Sequence, residues 1–197
     1  MKKIACLLLF FLLFSQVAGA DVESEAEKLL KRSVDRVFTV LSDKELSKDE
    51  KKSNIIEITD SVFGFSLMAK LSLGKAHWLQ FNTKQRAEFA DLFTESFQDF
   101  YVDKLDLFSD ETVVFHPATS VGKKKVQIPT DLVSKGEKYV MLYKMFKTRN
   151  GWKIYDFEVE GVSILQTYRS QYHHIIKKGG IDGLLAKMRG KRENKKE

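Results

Sequence analysis

The sequence predicts an α+β domain: helices first, then a mostly antiparallel four-stranded sheet, then a closing helix. Three observations carry this. Apolar residues recur at helical spacing as far as Asp110 and alternate after it, which marks a change from helix to strand. Arg149-Asn150-Gly151 stands between two alternating runs as a hairpin turn, because Asn-Gly tolerates the positive φ angles that tight turns need. From Gly161 onward the spacing is helical again, and no internal repeat or Pro/Ser-rich linker divides the chain.

The elements follow in order. Val22, Ala26, Leu29, Leu30, Ser33, Val34, Val37 and Leu41 form the apolar stripe of a first helix. Ser47 and Glu50 have the spacing of a capping box and open a second helix, which stops close to Gly64. Phe65 to Leu73 reads as a short apolar helix ended by Gly74, and Asn82 or Thr83 caps a long one. That long helix carries Phe89, Leu92, Phe93, Phe97, Phe100, Tyr101, Leu105 and Phe108 on one broad face. Strands are expected at Thr112–Ala118, Lys125–Val133, Tyr139–Thr148 and Trp152–Glu160. Leu165, Tyr168, Tyr172, Ile175 and Ile176 form the stripe of the closing helix, which Gly179-Gly180 stops. Asp182 then caps a short final helix through Leu184, Leu185 and Met188.

The first twenty residues read as a secretory signal peptide: Lys2 and Lys3, an apolar run from Ile4 to Phe14, and small residues at Ala18-Gly19-Ala20. A single domain is then expected over residues 21–189, with a disordered basic tail over 190–197. The sole cysteine, Cys6, falls in the leader, so disulfide and thiolate chemistry are excluded from the mature chain. Loss of Lys2 and Lys3 lowers the formal charge from +6 to +4, mildly basic rather than polycationic.

Catalytic signatures are scarce. The chain has no HExxH, no glycine-rich phosphate loop and no GxSxG. Of the histidines, His77, His116, His173 and His174, the last two point about 100° apart on a helix and do not share a metal from one face, so structural or solvent-exposed roles are expected. Asp156, Glu158 and Glu160 alternate along one strand, where acid/base chemistry is weighed against a solvated edge with Arg169 as counter-charge. No metal or cofactor is expected.

The stretch from Gly151 to Met188, GWKIYDFEVEGVSILQTYRSQYHHIIKKGGIDGLLAKM, resembles the C-terminal signature of the MlaC family, also called the toluene-tolerance family. The upstream FGFSLMAKLSLGKAHW and TKQRAEFADLFTESFQDFY resemble that family's short helix, leucine-glycine corner and long aromatic helix. The resemblance implies a nuclear-transport-factor-like fold with a curved sheet and an apolar cavity, and a periplasmic phospholipid carrier rather than an enzyme. The partners it implies are an inner-membrane lipid ABC transporter with its substrate-binding-like subunit and an outer-membrane lipoprotein complex; a monomer is expected, and no nucleic acid. A carrier must hold acyl chains and also release them, which favours soft, adaptable side chains. The expected lipid-binding residues are Met68, Phe89, Phe93, Phe97, Tyr101, Met141, Tyr143, Met145, Ile154 and Phe157. Arg169 is weighed as a phosphate ligand against a structural ion pair with Asp156 or Glu160, and Lys177 and Lys178 are candidate docking contacts. The alternatives are a small periplasmic enzyme using Asp156, Glu158 or His116, and a carrier of another apolar cargo such as a hopanoid.

Overall fold

The computed structural model describes the backbone of residues 18–105 and 111–194, with side chains over 25–100 and 111–194. The rest of the leader, Phe108 and residues 195–197 lie outside the described residues. The elements are α1 (Ala18–Ser42), α2 (Lys48–Val62), α3 (Phe65–Gln80), α4 (Thr83–Leu105), β1 (Thr112–Phe115), β2 (Thr119–Ser120), β3 (Lys125–Ser134), β4 (Glu137–Thr148), β5 (Gly151–Val159), β6 (Val162–Ser163) and α5 (Ile164–Glu193). The α+β class stands. The sheet has six strands rather than four, ordered β1-β3-β4-β5-β6 with β2 also on β3, and every pairing is antiparallel. The two added strands are two-residue pieces, too short to show an alternating pattern in the sequence.

Helix starts obey local chemistry. The Ser47 hydroxyl accepts from the Glu50 amide while the Glu50 carboxylate accepts from the Ser47 amide, the reciprocal box expected. Asn82 and Gln85 repeat the arrangement at the start of α4, so Asn82 is the cap. Between α2 and α3 the chain runs flush against the sheet: the Gly64 amide donates to the Ile154 carbonyl at 2.8 Å. A Cβ on Gly64 would meet Phe146 at 3.0 Å, which is why this corner has no side chain.

Both glycine stops break the helix where expected, and a second helical stretch follows each directly. Gly74 has φ 70° inside α3 and Gly180 has φ 68° inside α5, and helix resumes after each. Beyond Gly180 the helix needs no cap from Asp182, whose Oδ1 instead accepts from Gln85 Nε2 of α4 at 3.2 Å. Helix also persists to Glu193, four residues into the stretch expected to be disordered. Arg189 Nε donates to Glu88 at 2.5 Å, and Arg192 Nε lies 3.0 Å from Glu95, which ties this end to α4.

The hairpin turns also differ from expectation. At 149–151 the positive φ falls on Gly151 alone (103°) and not on Asn150. Positive φ at two successive residues occurs instead at Lys135 (50°) and Gly136 (83°), the signature of a type I′ turn between β3 and β4.

Two apolar clusters fill the interior. Ala26, Leu30 and Val62 of the first two helices pack with Val126, Ile128, Met145, Trp152 and Ile154 of the sheet. The larger cluster joins α3, α4 and α5 to Phe157 of β5. Substituting Gly74→Ala forces a left-handed φ on a residue with a Cβ, and that Cβ would meet Arg169 Nε at 3.3 Å. Urea unfolding of this variant is expected to show a loss of about 1–2 kcal/mol at an unchanged m-value.

Candidate functional site

The long aromatic face of α4 organises the interior. Phe89, Phe93 and Phe97 follow one another at centroid separations of 6.2 and 5.9 Å. Rings from other elements meet them edge-on: Tyr172 against Phe89 at 5.4 Å, Tyr168 against Phe93 at 5.5 Å, and Phe157 against Phe97 at 6.2 Å. Such tilted and edge-to-face contacts suit the ring quadrupole, so the row is held by many small, interchangeable attractions. Phe63 and Phe65, from the α2–α3 corner, stack on each other and extend the row.

Placement of the ten expected residues follows from this. Met68, Phe89, Phe93, Phe97 and Phe157 are buried in the ring cluster, with Met141 and Tyr143 partly buried at its border. Met145 and Ile154 lie in the other cluster, facing α1 and the end of α2. Tyr143 touches both. The β4–β5 register shifts between Lys144 and Met145, so that Tyr155 is left over and Ile154 and Phe157 are both buried although three residues apart. Tyr101 lies on α4, with its side chain outside the described residues. Tyr168 and Tyr172 join the site without having been expected there; their place on the apolar stripe of the closing helix was the available signal.

Two hollows lie away from the rings. One of about 700 Å³, between α4 and the end of α5, is lined by charged residues including Lys84, Glu88, Asp91 and Arg192. Another of about 290 Å³ lies between α1 and α2. Toward the β3–β4 turn the sheet exposes apolar side chains: Val114, Tyr139 and Val140. Nearby, Thr130 is fully buried opposite Met141, and its hydroxyl has no hydrogen-bond partner among the described residues. Burial pushes the Tyr143 phenol up to about 12.

The charged groups have structural occupations. Asp156 Oδ2 accepts from the Ser163 hydroxyl at 2.8 Å and from Lys144 at 3.2 Å, and its Oδ1 accepts from the Leu165 amide at 3.2 Å. Lys144 also donates to Glu158 at 2.5 Å. Burial opposes the Lys144 charge, but the two carboxylates outweigh it and hold its pKa above the usual lysine value. The counter-charge of these carboxylates is thus Lys144 and not Arg169. Arg169 donates through Nε and Nη2 to the Leu71 carbonyl at 3.2 and 2.7 Å, closing the first part of α3 where Gly74 interrupts it. His116 pairs with Asp131 at 2.9 Å, and His77 Nε2 meets His173 Nδ1 at 2.9 Å. Among the described residues, no group of three or more His, Cys, Asp or Glu is placed to hold a metal.

Helices laid on an antiparallel sheet around a ring-packed interior define an α+β fold. A solved structure with this architecture is the phospholipid-binding protein of Ralstonia solanacearum in complex with a phospholipid. Its TM-score is 0.75 at 23% identity, over 86% of this chain and 98% of that one. The family model "MlaC protein" matches residues 31–190, and the chain belongs to the MlaC family. A curated relative, the intermembrane phospholipid transport system binding protein MlaC of Haemophilus influenzae, is 29% identical over 114 residues; the match covers 54% of this chain and about half (52%) of that protein's length.

Two substitutions test the roles given to the polar groups. Asp156→Ala leaves Lys144 short of a partner and uncaps the start of α5, and a loss of about 3 kcal/mol is expected in equilibrium unfolding. Arg169→Lys keeps the charge but not the two-pronged grip on Leu71. It should lower stability by about 1 kcal/mol with bound phospholipid unchanged, whereas lipid lost at unchanged stability would make Arg169 a head-group ligand.

Proposed function

We propose that this chain is a periplasmic phospholipid carrier that moves glycerophospholipid between the inner and outer membranes by taking its acyl chains into the ring-lined interior. The observation that carries the reading is the family match over residues 31–190, which spans the elements that build that interior. The phospholipid held by the Ralstonia protein of the same fold supports it.

The physics of the task fits the materials. Exposing acyl chains to water costs about 0.8 kcal/mol per methylene, so roughly 20 kcal/mol for a diacyl lipid, and unassisted transfer is very slow. A carrier must cover most of that surface. It must also let go, and an interior of methionine and tilted rings exchanges one apolar neighbour for another at little cost. Met68, Phe89, Phe93, Phe97, Phe157, Met141 and Tyr143 are the residues proposed to meet the chains, with Met145 and Ile154 reached only past Tyr143. Thr130, with its unpartnered hydroxyl, is positioned for an ester oxygen of the lipid. The head group then stays in water, and selectivity among head groups is weak.

Under this reading the leader directs export and is removed. The partners are an inner-membrane lipid ABC transporter with its substrate-binding-like subunit and an outer-membrane lipoprotein complex, with exposed Lys177 and Lys178 among the docking contacts. No catalysis is involved. Native mass spectra of protein purified from the periplasm without detergent should show one diacyl phospholipid per chain, with a mixture of head groups after extraction. Met141→Trp, which fills the border of the ring cluster, should lower that occupancy several-fold in a folded protein. Empty protein, or a polar metabolite in place of lipid, would overturn the reading.

A further inference from the structure

We propose that the His77–His173 hydrogen bond is a latch between α3 and α5 that acid releases. The two residues are 96 apart in sequence and their rings meet across the helix interface. With the nitrogens 2.9 Å apart and the ring centroids 5.1 Å apart, the imidazoles lie nearly end to end. That arrangement suits one proton held between two nitrogens; ligands of a common metal converge on a third point instead. A neutral pair satisfies it, one ring donating and the other accepting. Once both rings are protonated, two N–H groups and two positive charges face each other and the bond is lost.

His173 is exposed, but the surroundings offer an extra proton on His77 nothing. His77 Nδ1 is buried with no hydrogen-bond partner among the described residues, so an N–H there has no acceptor. The charged groups on the elements around the pair are cations for the most part. Arg169 and Lys177 lie one helical turn before and after His173 on α5. Arg86 of α4 donates to the Trp78 and Leu79 carbonyls beside His77. Lys70 and Lys75 of α3, and His174 and Lys178 of α5, are exposed. The carboxylate of Asp182, beyond the Gly180 interruption, is taken by Gln85. Burial first, and the neighbouring His173 second, hold the His77 pKa below the ordinary histidine value. A base whose folded pKa is depressed stabilises the fold above its unfolded pKa, and that contribution disappears as pH falls through the folded value. The latch is therefore closed at neutral pH, persists as a charge-assisted N–H⁺···N bond while His173 alone is charged, and opens as acidification also charges His77. What it frees is the part of α3 beyond Gly74, held to α5 on the near side by Arg169.

The test uses the mature protein and the double variant His77→Gln/His173→Asn, whose amides occupy the two nitrogen positions without titrating. Between about pH 7.5 and about pH 5.5 the native protein should lose about 2–4 °C more in Tm than the variant. Backbone amides of residues 75–80, corrected for intrinsic exchange, should lose protection over the same interval in the native protein alone. Parallel Tm losses in the two proteins would overturn the proposal. If the variant does not fold, imidazole NMR of the native protein decides, with exposed His174 as internal reference. A His77 that titrates clearly below His174, with loss of the shared-proton signal, supports the latch, and a His77 that titrates with or above it sinks the idea.

Discussion

The buried carboxylate of Asp156 determines how the sheet joins the closing helix. With 6% of its surface exposed, it is held by an ammonium, a hydroxyl and a backbone amide. Each comes from a different place: Lys144 on β4, Ser163 at the helix cap, and Leu165 in the first turn of α5. A charge this far from water is tolerated when its oxygens are paired, and pairing them here sets where α5 leaves the sheet. The Ser163 hydroxyl serves twice, donating to Asp156 and accepting from the Gln166 amide. From that start α5 runs along α3 and α4, so Tyr168 and Tyr172 reach the rings of α4 while Arg169 and His173 reach α3. Lose the junction and none of these later contacts is aimed.

What could be read from the sequence was local. The Ser47–Glu50 box, the glycine stops and the change of period after Asp110 depend on residues within a few positions of each other, and each is where the sequence placed it; of the broad aromatic face of α4, Phe89, Leu92, Phe93 and Phe97 are buried as expected and Phe100 is exposed. What could not be read was non-local or hinged on one extra residue. The bulge at Tyr155 leaves both Ile154 and Phe157 buried, against the period-2 rule that assigned the strand, and the expected lipid-binding residues fall into two clusters, one against α1 and α2 and one against α3, α4 and α5. Arg169 finds a carbonyl 98 residues away, Gln85 finds Asp182 across 97, and His77 finds His173 across 96. No spacing in a single sequence encodes such meetings. Cation and carboxylate were expected to pair within the C-terminal segment, and the nearest charge along the chain proved a poor guide to the nearest charge in space.

The distribution of directional and non-directional contacts bears on the carrier reading. Along α5 the geometrically exacting interactions lie at its margins: Arg169 and His173 toward α3, and Gln85–Asp182, Arg189–Glu88 and Arg192–Glu95 toward α4. Between those margins, and away from the Asp156 junction, the contacts between the helices and β5 are dominated by rings and aliphatic side chains. Under the carrier reading, parting the rings of such an interior exposes apolar surface, and an acyl chain sliding in restores much of the lost contact. A polar interior would impose a desolvation penalty with each entry and each release. The margins meanwhile keep the helices in register, so that the packing closes to the same arrangement when the chain leaves.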